Sequence, residues 1–202
     1  MLIASVKAGV KRFVYSASSS AYGESDIMPL VETMPTNPMS PYGLTKQMGE
    51  EYCKLFHTQY GLETVNLRYF NVYGERQNID GGYCLVMGIF AKQSQAGEHM
   101  TIVGDGEQRR DFTYVGDVVN ANIAAAISDK VGSGEVINIG NGDNRSVNQI
   151  ADMIGGNKIH IPSRIEPKET LANITKAKEL LNWEPTQKIE EWMPKYKKEL
   201  GI

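Results

Sequence analysis

Two short apolar segments on either side of a helical one constrain the fold of this chain more than any other feature. Residues 12–17 (RFVYSA) and 62–70 (LETVNLRYF) have the length and apolar character of buried strands. Residues 40–60 between them have the pattern of a helix, with Ser40 as its N-cap and Gly61 after its last turn. A strand, a helix and a second strand in this order predict a parallel α/β sheet.

Shorter elements continue the α/β pattern through the rest of the chain. A helix end is expected at residues 2–8, before Gly9. No internal repeat or Pro/Ser-rich linker interrupts the pattern, so the second half is expected to pack on the first. The later helices are expected at 81–97, 115–129, 146–155, 175–183 and 189–200, and the later strands at 100–104, 110–115 and 135–142.

Charge and composition limit the partners that this chain can have. A net charge of -3 and a pI near 5.7 disfavour a nucleic-acid or anionic-membrane surface as the main partner. No apolar run approaches the roughly 18 to 20 residues that a membrane span requires, and the first residues lack the pattern of a signal peptide. Cys53 and Cys84 have no metal-type spacing and are predicted to be buried free thiols in a reducing compartment. We therefore expect a cytoplasmic protein without a metal site.

Hydroxyl groups follow the first apolar segment directly, in the sequence SASSS. Further along, SPYGLTK places Tyr42 and Lys46 four residues apart near a helix start, so their side chains lie on one face. An ammonium beside a phenol favours the phenolate, and such a tyrosine can remove or return a hydroxyl proton. The YxxxK pattern alone is common by accident. A serine-rich strand end 24 residues before Tyr42, expected at the same edge of a parallel sheet, favours a functional interpretation.

Six segments in a fixed order carry a resemblance to a known family. They are VKRFVYSASSSAYG, SPYGLTK, LRYFNVYG, GDGEQRRDFTYVGDVV, INIGNG and SRIEPKETLANITKAKELLNW. Over roughly residues 5 to 195 the sequence resembles an extended short-chain dehydrogenase/reductase of the NAD-dependent nucleotide-sugar epimerase/dehydratase family. It is most similar to the UDP-glucose and UDP-N-acetylglucosamine 4-epimerases of that family.

The resemblance implies a role for individual residues. The catalytic positions are Ser18, Tyr42 and Lys46, with Tyr42 as general base and acid. Tyr42, Lys46 and Tyr69 are the implied contacts to the cofactor, NAD. Two arginines are implied to clamp the pyrophosphate of the nucleotide sugar, because a guanidinium offers a fork of donors and a fixed charge. The implied substrate contacts are Ser19, Ser20, Asn71, Arg110, Arg164 and Thr170, with Arg110 and Arg164 as the two arginines.

Structural interpretations stay open for several residues. Ser16 and Ser20 are equally compatible with capping the turn after the strand, and Asn71 with tying the turn that follows its own strand. Arg109 has no counterpart in the family pattern and is expected in solvent. The usual RPGE-type turn of relatives reads RIEPKE here, so Glu166 and Lys168 are left without an assigned role.

The residues after Ser18 favour epimerisation over dehydration. In the 4,6-dehydratase branch an acidic residue follows the catalytic hydroxyl residue within two positions, whereas here no carboxylate appears until Glu24. The resemblance thus implies reversible hydride transfer through a keto intermediate of a UDP-sugar, with the 4,6-dehydratase as an alternative. Thr170 stands where some relatives have a bulkier residue, which closes the pocket around the substituent at C2 of the sugar. A threonine favours UDP-N-acetylhexosamine over UDP-hexose.

The implied fold is the C-terminal half of a Rossmann-type parallel sheet plus a small α/β substrate-binding domain. The remnant of the NAD-binding domain is expected at residues 1–73 and 113–140, and the nucleotide-sugar-binding domain at 74–112 and 141–202. A glycine-rich turn that binds the dinucleotide is absent from the sequence, since neither GDG (104–106) nor GNG (140–142) is followed by a third glycine.

Two functions are therefore expected as alternatives. The chain is either the later part of an NAD-dependent epimerase whose N-terminal part is missing or supplied by another chain, or a non-catalytic nucleotide-sugar-binding or dimerisation fragment. The expected protein partner is a second copy, through the helix at residues 40–60, as relatives of this family pack the equivalent helix.

Overall fold

The computed structural model describes residues 1–79 and 84–202. Its helices are α1 Leu2–Lys7, α2 Pro41–Tyr60, α3 Val86–Gln95, α4 Val115–Ile127, α5 Val147–Ile154, α6 Thr175–Leu181 and α7 Ile189–Leu200. Its strands are β1 Arg12–Ser18, β2 Glu63–Tyr69, β3 Asn71–Tyr73, β4 Met100–Val103, β5 Arg109–Tyr114, β6 Ser133–Ile139, β7 Asn144–Ser146 and β8 Lys158–Ile161. A single 3-10 turn, Ser19–Ala21, follows β1 directly.

A three-stranded parallel sheet forms the first layer, in the order β1-β2-β6. The side chains of the central strand β2 point alternately to the two faces of the sheet, as the pleat of a strand requires. Val65 and Leu67 point to the face where α4 and α6 pack, and they belong to a hydrophobic core there. The other face carries Thr64 and Arg68, which bond to α2. The parallel α/β sheet predicted from the strand, helix and strand order is confirmed.

Helix α2 meets the sheet through polar contacts. The Thr64 hydroxyl donates to the carbonyl oxygen of Cys53 at 2.9 Å, and Arg68 forms a bidentate ion pair with Glu50. Both members of the ion pair are buried. Hydrogen bonds are directional, whereas apolar packing is not. These bonds therefore fix the rotation of α2 about its axis and its position on the sheet.

The second layer combines two smaller sheets with three helices. One sheet has the order β3-β5-β7 and the other pairs β4 with β8. Helices α3, α5 and α7 enclose a core that contains Phe90, Ile150 and Trp192. Helix α6 comes from the late part of the chain, yet Ala177 and Leu181 pack against the first sheet. The two layers are therefore interleaved along the sequence.

Most of the expected elements are confirmed, and the exceptions are short. Helix α2 begins and ends as predicted, with the Ser40 hydroxyl accepting the N–H of Gly43 and Gly61 at φ +68°. Strands β3, β7 and β8 were not predicted from the sequence. The helix predicted at 81–97 is observed as α3, and its first residues lie outside the described part of the chain. The prediction that Cys84 is buried was wrong, since its side chain is partly exposed.

Candidate active site

The carboxyl ends of β1 and β2 meet the first turn of α2 at one edge of the sheet. Strand β1 ends at Ser18, and the 3-10 turn carries the next hydroxyls. Gly43, in the first turn of α2, lies against this turn so closely that a Cβ there would be 2.7 Å from the carbonyl oxygen of Ser20. A side chain at that position would push the helix away from the serines. The glycine of SPYGLTK therefore brings Tyr42 to the strand end.

Ser18 has a hydroxyl that accepts two hydrogen bonds from its own turn. The Ser20 hydroxyl donates to the Ser18 Oγ at 2.9 Å, and the Ser20 N–H donates to it at 3.2 Å. A hydroxyl has one proton to donate and two lone pairs to accept with. With both lone pairs engaged, the Ser18 hydroxyl is set up to donate its proton to an oxygen in the cavity.

Tyr42 and Lys46 lie on the exposed start of α2. The Lys46 ammonium donates to the carbonyl oxygen of Ser16 at 2.7 Å, and its Nζ lies 5.7 Å from the centre of the Tyr42 ring. It also lies 5.5 Å from the centre of the Tyr15 ring, which rests against the Cα of Gly49. The carbonyl and the two rings hold the ammonium near the phenol. The positive charge of Lys46 therefore lies on the same face of α2 as the phenol.

A cavity of about 750 Å³ opens at this edge, within the size range of small-molecule sites. Nine of the ten predicted site residues line it: Ser18, Ser19, Ser20, Tyr42, Lys46, Tyr69, Asn71, Arg110 and Thr170. The Tyr69 hydroxyl donates to Asn122 Oδ1 at 2.9 Å and lies 3.3 Å from the Ser16 hydroxyl. Three charged residues without a predicted role also line the cavity: Glu75, Arg76 and Glu166.

Arg110 is mostly buried and is paired with Glu166. Its Nη2 donates to Glu166 Oε2 at 2.8 Å, and its Nη1 donates to the carbonyl oxygen of Arg109 at 2.9 Å. Burial lowers the pKa of the Arg110 guanidinium, and the charge of Glu166 opposes that change. Sequence reasoning left Glu166 without a role because RIEPKE departs from the RPGE-type turn, and the partner of Glu166 is 56 residues away in the chain.

Thr170 and its neighbours are held by a buried carboxylate that the sequence did not single out. Asp111 is fully buried and accepts the N–H groups of Asn141, Gly142 and Ala172. Its own N–H lies 3.4 Å from the Thr170 hydroxyl. Asp111 thus ties the strand that carries Arg110 to the segment that carries Thr170.

Two arginines differ from their expected positions. Arg109 was expected in solvent, but its guanidinium donates to Asn144 Oδ1 at 2.7 Å and to the Asn144 carbonyl at 3.0 Å, so that expectation was wrong. Arg164 lies in the segment after β8 with its side chain exposed, and it is not one of the residues that line the cavity. The direction of a side chain in an irregular segment is not visible in a sequence pattern.

Among residues 1–79 and 84–202, no group of three His, Cys, Asp or Glu side chains is placed to hold a metal ion. The same part of the chain contains no helix with the length and apolar character needed to cross a membrane.

The parallel sheet, the Ser-Tyr-Lys arrangement at its carboxyl edge and the adjoining cavity define a Rossmann-type protein of the short-chain dehydrogenase/reductase class. Within that class, the chain belongs to the NAD dependent epimerase/dehydratase family, whose model matches residues 1–140. The family indicated by the sequence motifs is therefore confirmed.

Several solved structures of this family are similar to the chain. UDP-glucose 4-epimerase of Thermotoga maritima, solved with UDP-glucose, is 39% identical with a TM-score of 0.90, over 98% of this chain and 67% of that chain. UDP-N-acetylglucosamine 4-epimerase of Methanobrevibacter ruminantium, solved with UDP-N-acetylmuramic acid, is 37% identical with a TM-score of 0.88, over 95% and 63%. UDP-glucuronic acid 4-epimerase of Bacillus cereus, solved with UDP-glucuronic acid and NAD, is 34% identical with a TM-score of 0.87, over 98% and 65%.

The curated relatives are longer than this chain. Across five of them, the chain spans between 57% and 62% of the relative's length.

Proposed function

We propose that this chain forms the catalytic and nucleotide-sugar-binding part of an NAD-dependent UDP-sugar 4-epimerase. One observation carries the proposal: a single cavity is lined by Ser18, Tyr42 and Lys46 together with Asn71 and Arg110. The proton-transfer groups and the anion-binding groups of such a reaction thus face the same space. In this proposal the sheet of β1, β2 and β6 belongs to the NAD-binding domain. Residues 74–112 and 141–202 form the sugar-nucleotide domain.

The side chains of this chain would handle a proton at the sugar hydroxyl. Tyr42 takes the proton of the 4-hydroxyl and returns it, and Ser18 donates a hydrogen bond to the same oxygen. The Lys46 ammonium lies beside the Tyr42 ring. When bound, NAD accepts a hydride from the sugar and gives it back. Tyr42, Lys46 and Tyr69 line one cavity and would hold the nicotinamide ribose. No residues of this chain fit the cofactor's pyrophosphate, because the sequence has no glycine-rich turn.

The carboxylates that line the cavity are already bonded to other residues, and this supports epimerisation over dehydration. Among the described residues two carboxylates line the cavity, Glu75 and Glu166. Glu75 accepts bonds from the Tyr114 hydroxyl and from the Trp192 indole, and Glu166 is paired with Arg110. Expelling water from a sugar requires an acid that protonates the leaving hydroxyl. Neither carboxylate is free for that task, whereas epimerisation does not need one.

The sugar that we propose is a UDP-N-acetylhexosamine. Thr170 lines the cavity with a small side chain, which leaves room for a 2-acetamido group. The similar M. ruminantium enzyme was solved with a UDP-sugar that carries such a group, while the T. maritima enzyme was solved with UDP-glucose.

Calorimetric titration of the purified chain tests this function directly. We expect UDP-N-acetylglucosamine and UDP-glucose to bind, the first more tightly, and Tyr42→Phe to bind both as the wild type does, because its hydroxyl acts on a proton. Thr170→Tyr is expected to weaken UDP-N-acetylglucosamine more than UDP-glucose, because the larger ring fills the space for the acetamido group. Failure of both UDP-sugars to bind would contradict the proposal.

A second candidate is a nucleotide-sugar-binding fragment without redox activity. It is favoured by the position of β1, which is the edge strand of its sheet, so that in the described part of the chain no strand covers the side next to Lys46. Titration with NAD separates the two candidates. Submicromolar NAD binding would exclude the second one, and no binding at millimolar NAD would exclude catalysis by this chain alone.

We also propose that α2 forms a homodimer contact with a second copy. Four of its large apolar side chains, at spacings of one helix turn, are each about half exposed: Leu44, Met48, Tyr52 and Leu55. Equilibrium sedimentation is expected to give a dimer, and Met48→Glu combined with Leu55→Glu is expected to give a monomer with an unchanged circular dichroism spectrum. A wild-type chain that sediments as a strict monomer would contradict this contact.

A further inference from the structure

Three cationic side chains line the cavity, and they differ in what already neutralises or holds them. Lys46 donates to the Ser16 carbonyl and lies beside the phenol of Tyr42. Arg110 is paired with the Glu166 carboxylate. Arg76 has an exposed side chain and makes no hydrogen bond or ion pair within residues 1–79 and 84–202. Its guanidinium therefore has no ionic partner in that part of the chain.

Arg76 sits in a backbone conformation that favours another residue type. The Gln77 N–H donates to the Gly74 carbonyl at 3.3 Å, which closes a turn with Arg76 at its third position and φ +60°. That position of a type II turn is usually filled by glycine or asparagine, because a Cβ is strained there. Strained positions that persist next to a cavity point to a function of the side chain.

The neighbouring carboxylate of Glu75 forms no ion pair with Arg76 among the described residues and is bonded elsewhere. Glu75 accepts the Tyr114 hydroxyl on Oε2 at 2.9 Å and the Trp192 indole N–H on Oε1 at 3.0 Å. Both oxygens are thus engaged with residues of the second layer. The same two bonds anchor the turn that carries Arg76 to the second layer.

We propose that Arg76, in place of Arg164, is the second guanidinium that binds the diphosphate of the nucleotide sugar, together with Arg110. A diphosphate carries charge on both phosphates, and each guanidinium can donate a pair of hydrogen bonds to one of them. Arg76 and Arg110 line the same cavity, whereas Arg164 does not. This inference rests on the proposed binding of a nucleotide sugar.

Titration of the full chain with UDP and with uridine tests the inference. Arg76→Gly removes the guanidinium and also relieves the turn, so we expect UDP to bind about 10- to 100-fold more weakly while the thermal midpoint stays the same or rises. Uridine, which has no phosphate, is expected to bind Arg76→Gly as it binds the wild type. Arg164→Ala is the matched control and is expected to change the affinity for UDP by less than about twofold.

Each outcome decides between the inference and the function on which it rests. A wild-type chain that does not bind UDP would contradict the proposed function and this inference together. Wild-type binding with an unchanged affinity in Arg76→Gly would overturn the inference alone. An equal loss for uridine and UDP would also overturn it, because the change would then lie in the shape of the site. A loss of UDP affinity in Arg164→Ala comparable to that in Arg76→Gly would restore Arg164 as the second arginine.

Discussion

Replacing Glu50 by alanine is expected to lower the free energy of unfolding by about 3 to 5 kcal/mol. Arg68 donates to the two carboxylate oxygens of Glu50 at 2.8 and 2.6 Å, and each side chain is only 4% exposed. Without Glu50 the guanidinium stays in a buried place with no charge to balance it. Removing one member of such a pair costs far more than the pair itself contributes.

The surroundings of Arg68 explain why no neighbouring group can replace the charge of Glu50. Its Nη1 already lacks a hydrogen-bond partner in the described part of the chain, and its guanidinium carbon lies 4.5 Å from the centre of the Tyr22 ring. Burial raises the pKa of Tyr22 to about 12, so this phenol stays neutral and donates to Asn138 Oδ1 at 2.7 Å. The ring gives the cation a weak attraction and no opposite charge. Glu50 lies one turn after Lys46, so the same change is expected to loosen the helix that carries Tyr42 and Lys46.

Urea denaturation followed by circular dichroism measures this effect. Glu184→Ala is the matched control, because the Lys178–Glu184 pair spans 2.9 Å with side chains 46% and 66% exposed, and its loss should cost less than about 1 kcal/mol. Combining Glu50→Ala with Arg68→Met should recover a large part of the stability, since no buried charge remains. A cost for Glu50→Ala no greater than that of the control would show that the buried pair does not hold α2 in place.

Replacing Asp111 by asparagine is expected to cost about 2 to 4 kcal/mol at neutral pH. The carboxylate accepts the N–H of Asn141 at 2.6 Å and the N–H groups of Gly142 and Ala172 at 3.0 Å. An asparagine has a single acceptor oxygen, and its NH₂ group would face at least one of these donors. A buried N–H would then lack an acceptor, and the segments that Asp111 joins would separate.

Asp111 also predicts a direction for the pH dependence of stability. Burial raises its pKa from 3.8 to about 6, although the three backbone N–H groups oppose that change. Between about pH 4 and pH 6 the folded chain keeps a proton that the unfolded chain has released. The free energy of unfolding contributed by this group therefore falls as pH rises through that range, by up to about 1.4 kcal/mol per pH unit.

Denaturation of the wild type and Asp111→Asn at pH 4.5 and pH 7 separates this contribution from those of other groups. The advantage of the wild type over the variant is expected to be larger at pH 4.5. Asp152→Asn serves as the control, because that carboxylate is 68% exposed and its replacement should not change the pH dependence. A difference between the wild type and Asp111→Asn that is the same at both pH values would contradict the raised pKa.

The elements that were predicted well are those whose signals are local. Ser40, Gly61 and the apolar run of β2 act within a few residues, so the bounds of α2 and β2 follow from the sequence. Tyr42 and Lys46 share a helix face for the same reason. Strand β7 was missed because Asn144–Ser146 becomes a strand only through its pairing with β5. Its residues do not favour a strand by themselves.

The chemistry of the site was visible in the sequence, whereas the surroundings of each charge were not. A hydroxyl at a strand end and a Tyr-Lys pair at helical spacing predict a proton-transfer site at this edge, because both patterns fix positions along a single element. Tertiary structure decided that Glu166 pairs with Arg110, that Glu50 balances Arg68, and that Arg76 lines the cavity with no partner among the described residues. These pairings join residues far apart in the chain, and Coulomb attraction and burial depend on distance in space, which the order of residues does not contain.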